Sequence, residues 1–352
     1  MGGLWDLRDV HRAKSGGKEE LGGKDETRRR KRYPRFSSNI LEPNLNFSVP
    51  TSMATVELLQ VRKSYDKFVA VKDLSLTIEQ GSIFGLLGPN GAGKTSTIRM
   101  MIGITVPDSG QVRMFGEPFR RDHLKRIGYL PETSGLYKRM KVSEQLVLFG
   151  QLRGLTAADA ASRAKKWCER MEIAAWIDKK TEELSKGMQQ KMQFIATLLH
   201  EPEFLIMDEP FAGLDPVNAT LLKDVLLELN KQGRTILFST HRMDQVERLC
   251  SAICLINRGE AVLQGTLKEI KGRYGRSNVQ IEYEGPDEFL HENGLIQSFN
   301  NYGNYVEVRL APGADSQKLL HMVAQRSRVN KFELVEPSLE DIFIDVVGKS
   351  DA

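Results

Sequence analysis

From residue 55 onward the chain sorts into short apolar runs that alternate with stretches of helical spacing. Residues 55–61 and 74–78 read as strands, with Tyr65 in the turn region between them. An apolar run at 83–87 precedes a helix-like stretch at 96–101, and 111–114 and 126–130 are again strand-like. Apolar residues recur at helical spacing over 142–154, 158–171, 186–199, 217–231 and 243–250. Between these lie apolar runs at 204–207, 235–239 and 253–256, the last followed by a short hairpin to Gly265. Strands buried on both faces must be apolar along their whole length. Strands alternating with helices predict an α/β fold with a mostly parallel, doubly wound sheet and ligands at the strand carboxyl ends.

After 272–277 the pattern changes. Strands at 279–283, 296–300, 305–310 and 331–335, with helices at 287–293 and 316–325, predict a small α+β module over 277–348. A last helix is expected after Pro337, with Ser338 as its cap. No catalytic constellation falls within this module. Residues 1–52 lack either period and carry a basic run, Arg28 to Arg32, with three prolines; they read as disordered. One reading of this segment is a basic arm for anionic lipid or nucleic acid, the other an extension without function.

Locating the charge alters its meaning. The net charge of +4 sits entirely in residues 1–52, which hold eleven Lys/Arg and seven Asp/Glu; the rest of the chain is balanced. The body has no basic bias that would mark a nucleic-acid partner, and none is expected. A length of 352 residues favours two domains plus extensions. No apolar run reaches the roughly 18 residues of a membrane-spanning helix, and no secretory leader pattern is present. Cys168, Cys250 and Cys254 form no metal-binding spacing and read as buried thiols of a reducing cytosol.

The chemistry centres on Gly88-Pro89-Asn90-Gly91-Ala92-Gly93-Lys94-Thr95, with Ser96 directly after it. Strand, glycine-rich loop and helix occur here in the order of a phosphate-binding loop, in which curled backbone N–H groups and the helix N-terminus face anionic oxygens. Lys94 supplies charge for the terminal phosphates and Thr95 a hydroxyl for Mg²⁺. An ordinary glycine turn would not need all four of Gly88, Gly93, Lys94 and Thr95 in register. A nucleoside triphosphate and Mg²⁺ are the expected ligands. The apolar run at 204–207 ends in Asp208 and Glu209, which places two acids at the ligand edge: one suited to the metal's hydration shell, the next to the attacking water as general base.

Three further motifs keep the order of a known family: Leu184-Ser185-Lys186-Gly187-Met188, Gly213-Leu214-Asp215-Pro216 and Ser239-Thr240-His241. Over about residues 55–270 the chain resembles the nucleotide-binding subunits of ATP-binding cassette (ABC) transporters. That resemblance implies a P-loop NTPase cassette with a parallel sheet, a helical signature subdomain and an antiparallel β part, spanning 53–272. It implies that Tyr65 stacks on adenine, against a plainer reading as an edge-strand packing residue. His241 would contact the terminal phosphate, where position alone separates it from a structural histidine. Asp215 would link two subunits, and the signature 184–188, through Ser185 and Gly187, would reach ATP held by the opposite copy.

Two departures stand out. The family's usual signature is Leu-Ser-Gly-Gly-Gln, with Lys186 and Met188 here at the third and fifth places. Glu132, in Gly128-Tyr129-Leu130-Pro131-Glu132, stands where the family usually has glutamine; a carboxylate still suits Mg²⁺ but adds negative charge beside the phosphates. Together with the tail Glu336-Pro337-Ser338-Leu339-Glu340-Asp341-Ile342-Phe343, these variants resemble the type-2 exporters, which move drugs, ions, lipids or polysaccharide outward.

The expected role is thus an ATP-hydrolysing subunit that pairs with a second copy and with separate permease chains, at the cytoplasmic face of the membrane. The segment 137–141 and the helix after it are the candidate docking surface, or else a solvated basic loop. A soluble ABC protein acting on ribosomes or DNA is the main competitor; such relatives carry two cassettes in one chain or a long coiled-coil interruption, neither of which is seen here. A non-hydrolysing ATP sensor is opposed by intact Lys94, Asp208, Glu209 and His241. Met53 immediately precedes the first strand, so a chain starting there is expected to keep its stability and ATPase rate. A loss beyond about tenfold, about 1.4 kcal/mol in the barrier, in a steady-state assay would assign residues 1–52 a function.

Overall fold

The computed structural model of the chain describes residues 54–274, 278–291 and 294–350, all within one compact unit. The expectations for 1–52, Met53, 275–277 and 292–293 lie outside the described residues. The central sheet has six strands in the order β10-β9-β3-β8-β7-β6: β3 (Ile83–Leu87), β6 (Ile127–Leu130), β7 (Phe204–Asp208), β8 (Thr235–Thr240), β9 (Ala252–Asn257) and β10 (Glu260–Thr266). Its strands pair in parallel, except that the edge strand β10 runs antiparallel to β9.

Every residue of β3, β7 and β8 is buried. Alternate side chains divide between two cores. Ile83, Leu87, Leu205, Met207, Ile236 and Phe238 enter one, with the helices. Phe84, Leu86, Phe204, Ile206 and Leu237 enter the other. Both faces being covered, no strand of this trio can carry a charge before its carboxyl end, and the uninterrupted apolar runs are the result.

The second core lies under a four-stranded antiparallel sheet, β2-β1-β4-β5, formed by β1 (Ala54–Tyr65), β2 (Phe68–Glu79), β4 (Ser109–Met114) and β5 (Glu117–Pro118), with α1 (Lys94–Met101) beside it. Here β1 and β2 are twelve residues each, longer than the sequence pattern indicates, because register shifts break their alternation. Tyr65 is the last residue of β1, paired with Phe68, rather than part of the turn.

The other face carries α2 (Val142–Leu152), α3 (Ala157–Arg170), α4 (Lys186–Leu198), α5 (Pro216–Lys231) and α6 (Met243–Leu249). Thr156, Ser185 and Asp215 cap α3, α4 and α5 by accepting the N–H three residues on. The three cysteines are free and buried; burial pushes the Cys168 thiol up to about 11 and Cys254 to about 12.

A helix that the sequence pattern does not announce, α7 (Leu267–Tyr274), buries Ile270 in the helical core. The small sheet β12-β13-β11-β14 comprises β11 (Asn278–Glu284), β12 (Ile296–Asn301), β13 (Val306–Leu310) and β14 (Arg328–Val335). It encloses a core of its own with α8 (Ser316–Ala324). In place of a helix at 287–293 there is a single 3₁₀ turn, Glu288–His291, that drives Phe289 and Leu290 into that core.

The last helix, α9 (Leu339–Ser350), leaves this module and returns to the cassette. Leu339 and Ile342 join the helical core. Ser338 Oγ accepts the Asp341 N–H at 3.1 Å, while the Asp341 carboxylate accepts the Ser338 N–H at 3.3 Å, so the expected cap forms reciprocally. The Glu247 carboxylate of α6 accepts from Leu339 N at 2.6 Å and pairs with Lys271 of α7 at 3.0 Å. Arg309 of β13 pairs with Asp345 of α9 at 2.5 Å.

Ile342 is 1% exposed and Ile344 59%. Ile342→Ala should therefore cost about 2–5 kcal/mol in urea unfolding of the full chain, and Ile344→Ala within about 0.5 kcal/mol. Equal effects would mean that α9 is not part of the cassette core.

Candidate functional site

Adjacent parallel strands β6, β7, β8 and β3 end side by side. Each of these ends leads into polar chain: Glu132 after β6, Asp208 and Glu209 at β7, His241 after β8, and the glycine loop after β3. The topology therefore gathers residues separated by up to about 150 positions onto one edge.

The loop depends on two glycines. Gly88 has φ +149° and Gly93 φ +112°; a Cβ on the first would lie 2.2 Å from the Ile256 carbonyl oxygen, and on the second 2.4 Å from that of Ala70. Neither side can yield, because both obstacles are backbone of neighbouring strands. Lys94, only 7% exposed, donates from Nζ to the carbonyls of Gly88 at 2.7 Å and Pro89 at 3.1 Å. Burial draws the Lys94 pKa below that of an ordinary lysine, against the opposing pull of the Glu209, Asp208 and Glu132 carboxylates. A cavity of about 300 Å³ is lined by Asn90 to Ser96 together with Tyr65, Phe68, Glu132, Asp208 and Glu209.

Asp208 is 2% exposed, yet both of its oxygens are met: Thr95 Oγ1 donates to Oδ2 at 3.1 Å and Ser239 Oγ to Oδ1. Glu209 adopts φ +51°, a left-handed conformation that costs a non-glycine residue about 1–3 kcal/mol. Its backbone N–H still reaches Ser239 O at 2.9 Å. Its carboxylate accepts from Thr240 Oγ1 at 3.0 Å on one oxygen, and on the other from the His241 N–H at 3.0 Å. His241 Nδ1 lies 2.7 Å from that second oxygen. The glutamate is thus anchored by the strand beside it, and His241 is bound to Glu209 without lining the cavity.

Residues 184–188 and Asp215 do not line this cavity either. Ser185 is exposed and accepts the Met188 N–H at 3.3 Å, while Leu184 is buried beneath it. Gly187 has open space around it, an added Cβ meeting only Leu214 at 3.7 Å and the Gly213 carbonyl at 4.0 Å. Asp215 is spent on its own helix, accepting from Asn218 N at 2.9 Å. Tyr65 remains 40% exposed at the cavity mouth, with Lys63 Nζ 5.7 Å from its ring centre.

Sequence reasoning missed several residues of this neighbourhood. Phe68, 60% exposed, lines the same cavity as Tyr65. Ser239 and Thr240, noted from the sequence only within the motif that ends in His241, hold the two acids; two polar residues after the apolar run Ile236 to Phe238 were the available signal. Gln145, fully buried on α2, clasps the loop after Glu132: it accepts from Tyr137 N at 2.8 Å and donates to Tyr137 O and Thr181 Oγ1, each at 3.1 Å. Thr181 leads into the signature, so one amide ties the two segments together. A polar residue on a helical apolar face was the available signal. A second cavity, about 420 Å³, opens between β6, α2 and α4 and is lined by Leu136, Phe149, Leu152 and Arg153 among others. No phosphate-loop residue reaches it.

Known proteins match this arrangement. A family described as ABC transporter covers residues 71–212, and one described as ATP-binding protein DrrA1-3-like, C-terminal domain, covers 265–347. The "uncharacterized ABC transporter ATP-binding protein YhaQ" of Bacillus subtilis (strain 168) is 44% identical over 84% of this chain and 99% of its own. Nod factor export ATP-binding protein I of Burkholderia pseudomallei (strain 1710b) is 38% identical over 85% of this chain and 98% of its own. A solved ATP binding subunit of an ABC transporter superposes with a TM-score of 0.59 at 29% identity, covering 63% of this chain and 93% of that one. These likenesses run nearly the full length of the relatives and favour transport over a role on ribosomes or DNA. With the phosphate loop, the paired acids and the fold in agreement, the chain belongs to the ATP-binding, ATP-hydrolysing subunits of ABC transporters.

Proposed function

We propose that this subunit energises export through separately encoded permease chains, by closing and reopening a head-to-tail pair of cassettes around ATP. The observation that carries the reading is the meeting of Lys94, Asp208 and Glu209 on one sheet edge, with Glu209 held by His241. Export, rather than import, rests on the likeness to the Nod factor export protein. No helix among the described residues is long and apolar enough to cross a membrane, and in this reading the permease chains would supply the passage. The peripheral position at the cytoplasmic face would come from those partners, and the cavity between β6, α2 and α4, flanked by the exposed Tyr137 and Leu152, is our choice for their contact.

In this reading the N–H groups of 90–96 and Lys94 hold the phosphates, while Tyr65 and Phe68 take the adenine face. The Thr95 hydroxyl and the Asp208 carboxylate, with Glu132 across the cavity, are hard oxygen donors of the kind that suits Mg²⁺. That ion would offset phosphate charge. Glu209 takes the proton from water, and His241 keeps its carboxylate aimed. Ser185 and Gly187 serve the neighbour's nucleotide, and Asp215 lies at the join.

Glu209→Gln preserves size and one acceptor oxygen but removes the base. Hydrolysis should fall about 10²–10⁴-fold with ATP binding retained, and the variant should accumulate as an ATP-bound dimer in size-exclusion chromatography. Asp208→Asn should weaken Mg²⁺-dependent binding as well. Near-parental turnover by Glu209→Gln would remove Glu209 as the base.

A Ser185→Ala chain mixed with a Lys94→Ala chain should show more activity than either alone, if one site of the mixed dimer is spared. Absence of recovery, with mixed dimers demonstrated by mass, would overturn action across subunits.

A further inference from the structure

The nucleotide cavity holds more negative charge than its own chain offsets. Glu132, Asp208 and Glu209 line it against one cation, Lys94. The three acids are not equivalent. Asp208 is met by two hydroxyls, and Glu209 by Thr240 and His241. Glu132 is exposed and makes no hydrogen bond or ion pair among the described residues. A bound triphosphate brings further negative charge to the same space, and Mg²⁺ with Lys94 meets only part of it. Like charges at such separations repel strongly once water is excluded.

A cation without a local purpose stands on the signature helix. Lys186 is the first residue of α4, exposed, with no ion pair among the described residues and no acid in the first turn of its helix. Cations are disfavoured at a helix N-terminus, where the backbone already presents positive ends. Lys186 thus adds charge at the end of α4 where it weakens the helix, and a position that breaks a local rule without local gain points to a function. In its own chain Lys186 does not line the nucleotide cavity.

We propose that Lys186 of one copy neutralises Glu132 of the partner subunit when two cassettes close on ATP. The inference rests on the head-to-tail reading above and deepens it. Of the three residues that depart from the family pattern, Glu132, Lys186 and Met188, the two charged ones become a matched pair: one adds a negative charge to the pocket, the other returns a positive charge to it from the opposite side. The pair makes closure electrostatically self-consistent and ties its strength to ionic strength.

The test uses the full chain carrying Glu209→Gln, with ATP and Mg²⁺, and reads the dimer dissociation constant by sedimentation. Added Lys186→Ala should weaken dimerisation at least about tenfold, as removal of a close interfacial charge does. Lys186→Arg should stay within about threefold, because the charge is kept. Measured against a Glu132→Gln, Glu209→Gln reference, which carries any effect of Glu132 on Mg²⁺, adding Lys186→Ala should change the constant less than about threefold, since no unpaired carboxylate then remains. Raising salt should weaken the parent dimer more than the Glu132→Gln, Lys186→Ala form. If Lys186→Ala dimerises like its parent, or if it weakens the Glu132→Gln reference as much as the parent, the pairing is wrong while the head-to-tail reading stands. If the Glu209→Gln parent itself fails to dimerise with ATP, both fall together.

Discussion

A carboxylate withdrawn from water must be met by donors or cations, or it takes up a proton. Asp208 lies in that situation at the end of β7, and two hydroxyls answer it: Thr95 from the start of α1 and Ser239 from near the end of β8. Ser239 reaches it from β8, the adjacent strand, and Thr95 from the loop and helix that follow β3, one strand further along the sheet. The strand order is therefore not incidental to the chemistry. Without these two hydroxyls the acid would be buried without partners, at a cost of several kcal/mol. The same neighbour relation fixes Glu209, whose backbone bonds to Ser239 and whose side chain meets Thr240 and His241.

Around that fixed point, the site is loaded with unlike charges held slightly apart. Lys94 bonds to its own loop carbonyls, close enough to three acids to feel each of them. Bringing phosphate oxygens into such a place exchanges carbonyl partners for anionic ones, which gain more from an ammonium group in low dielectric. The left-handed backbone of Glu209 has the same origin: a strained residue persists only where its surroundings over-determine it, and hydrogen bonds from the adjoining strand and the residue after it do so.

Much of this is legible in the sequence, for a physical reason. Parallel strands closed on both faces cannot hide polar residues within them, so Phe204 to Met207 announces itself and Asp208 marks where the strand meets ligand. The glycine loop is equally readable, because Gly88, Gly93, Lys94 and Thr95 stand as one contiguous motif between a strand and a helix. Less readable are features set by distant packing. The register shifts in β1 and β2 blur alternation, so part of each strand escapes the pattern and Tyr65 reads as a turn residue. Helix α7 is short and carries Gly272, a residue that reads as a break, and it is held by tertiary contacts: Ile270 buried in the helical core, Leu267 and Tyr274 packed against it, and Lys271 paired with Glu247. Residues 287–291 have helical composition but spend it on a single turn, because Phe289 and Leu290 are both needed in a small core. Gln145 reads as a surface residue because the Tyr137 loop that covers it lies eight positions back along the chain.

The return of α9 to the cassette sets a timetable for synthesis. Ile270 and its neighbours emerge as part of a core that still lacks two of its members, Leu339 and Ile342, about 70 residues downstream. At about 5–20 residues per second, that core stays open for several seconds while the small sheet is made and folded. Over that interval the α6 face beneath α9, including the Glu247 carboxylate that will meet Leu339, is uncovered. A nascent chain of this kind therefore exposes an apolar groove against α6 until translation has passed residue 342. Premature termination anywhere in the C-terminal module leaves that groove permanently open to chaperones and proteases.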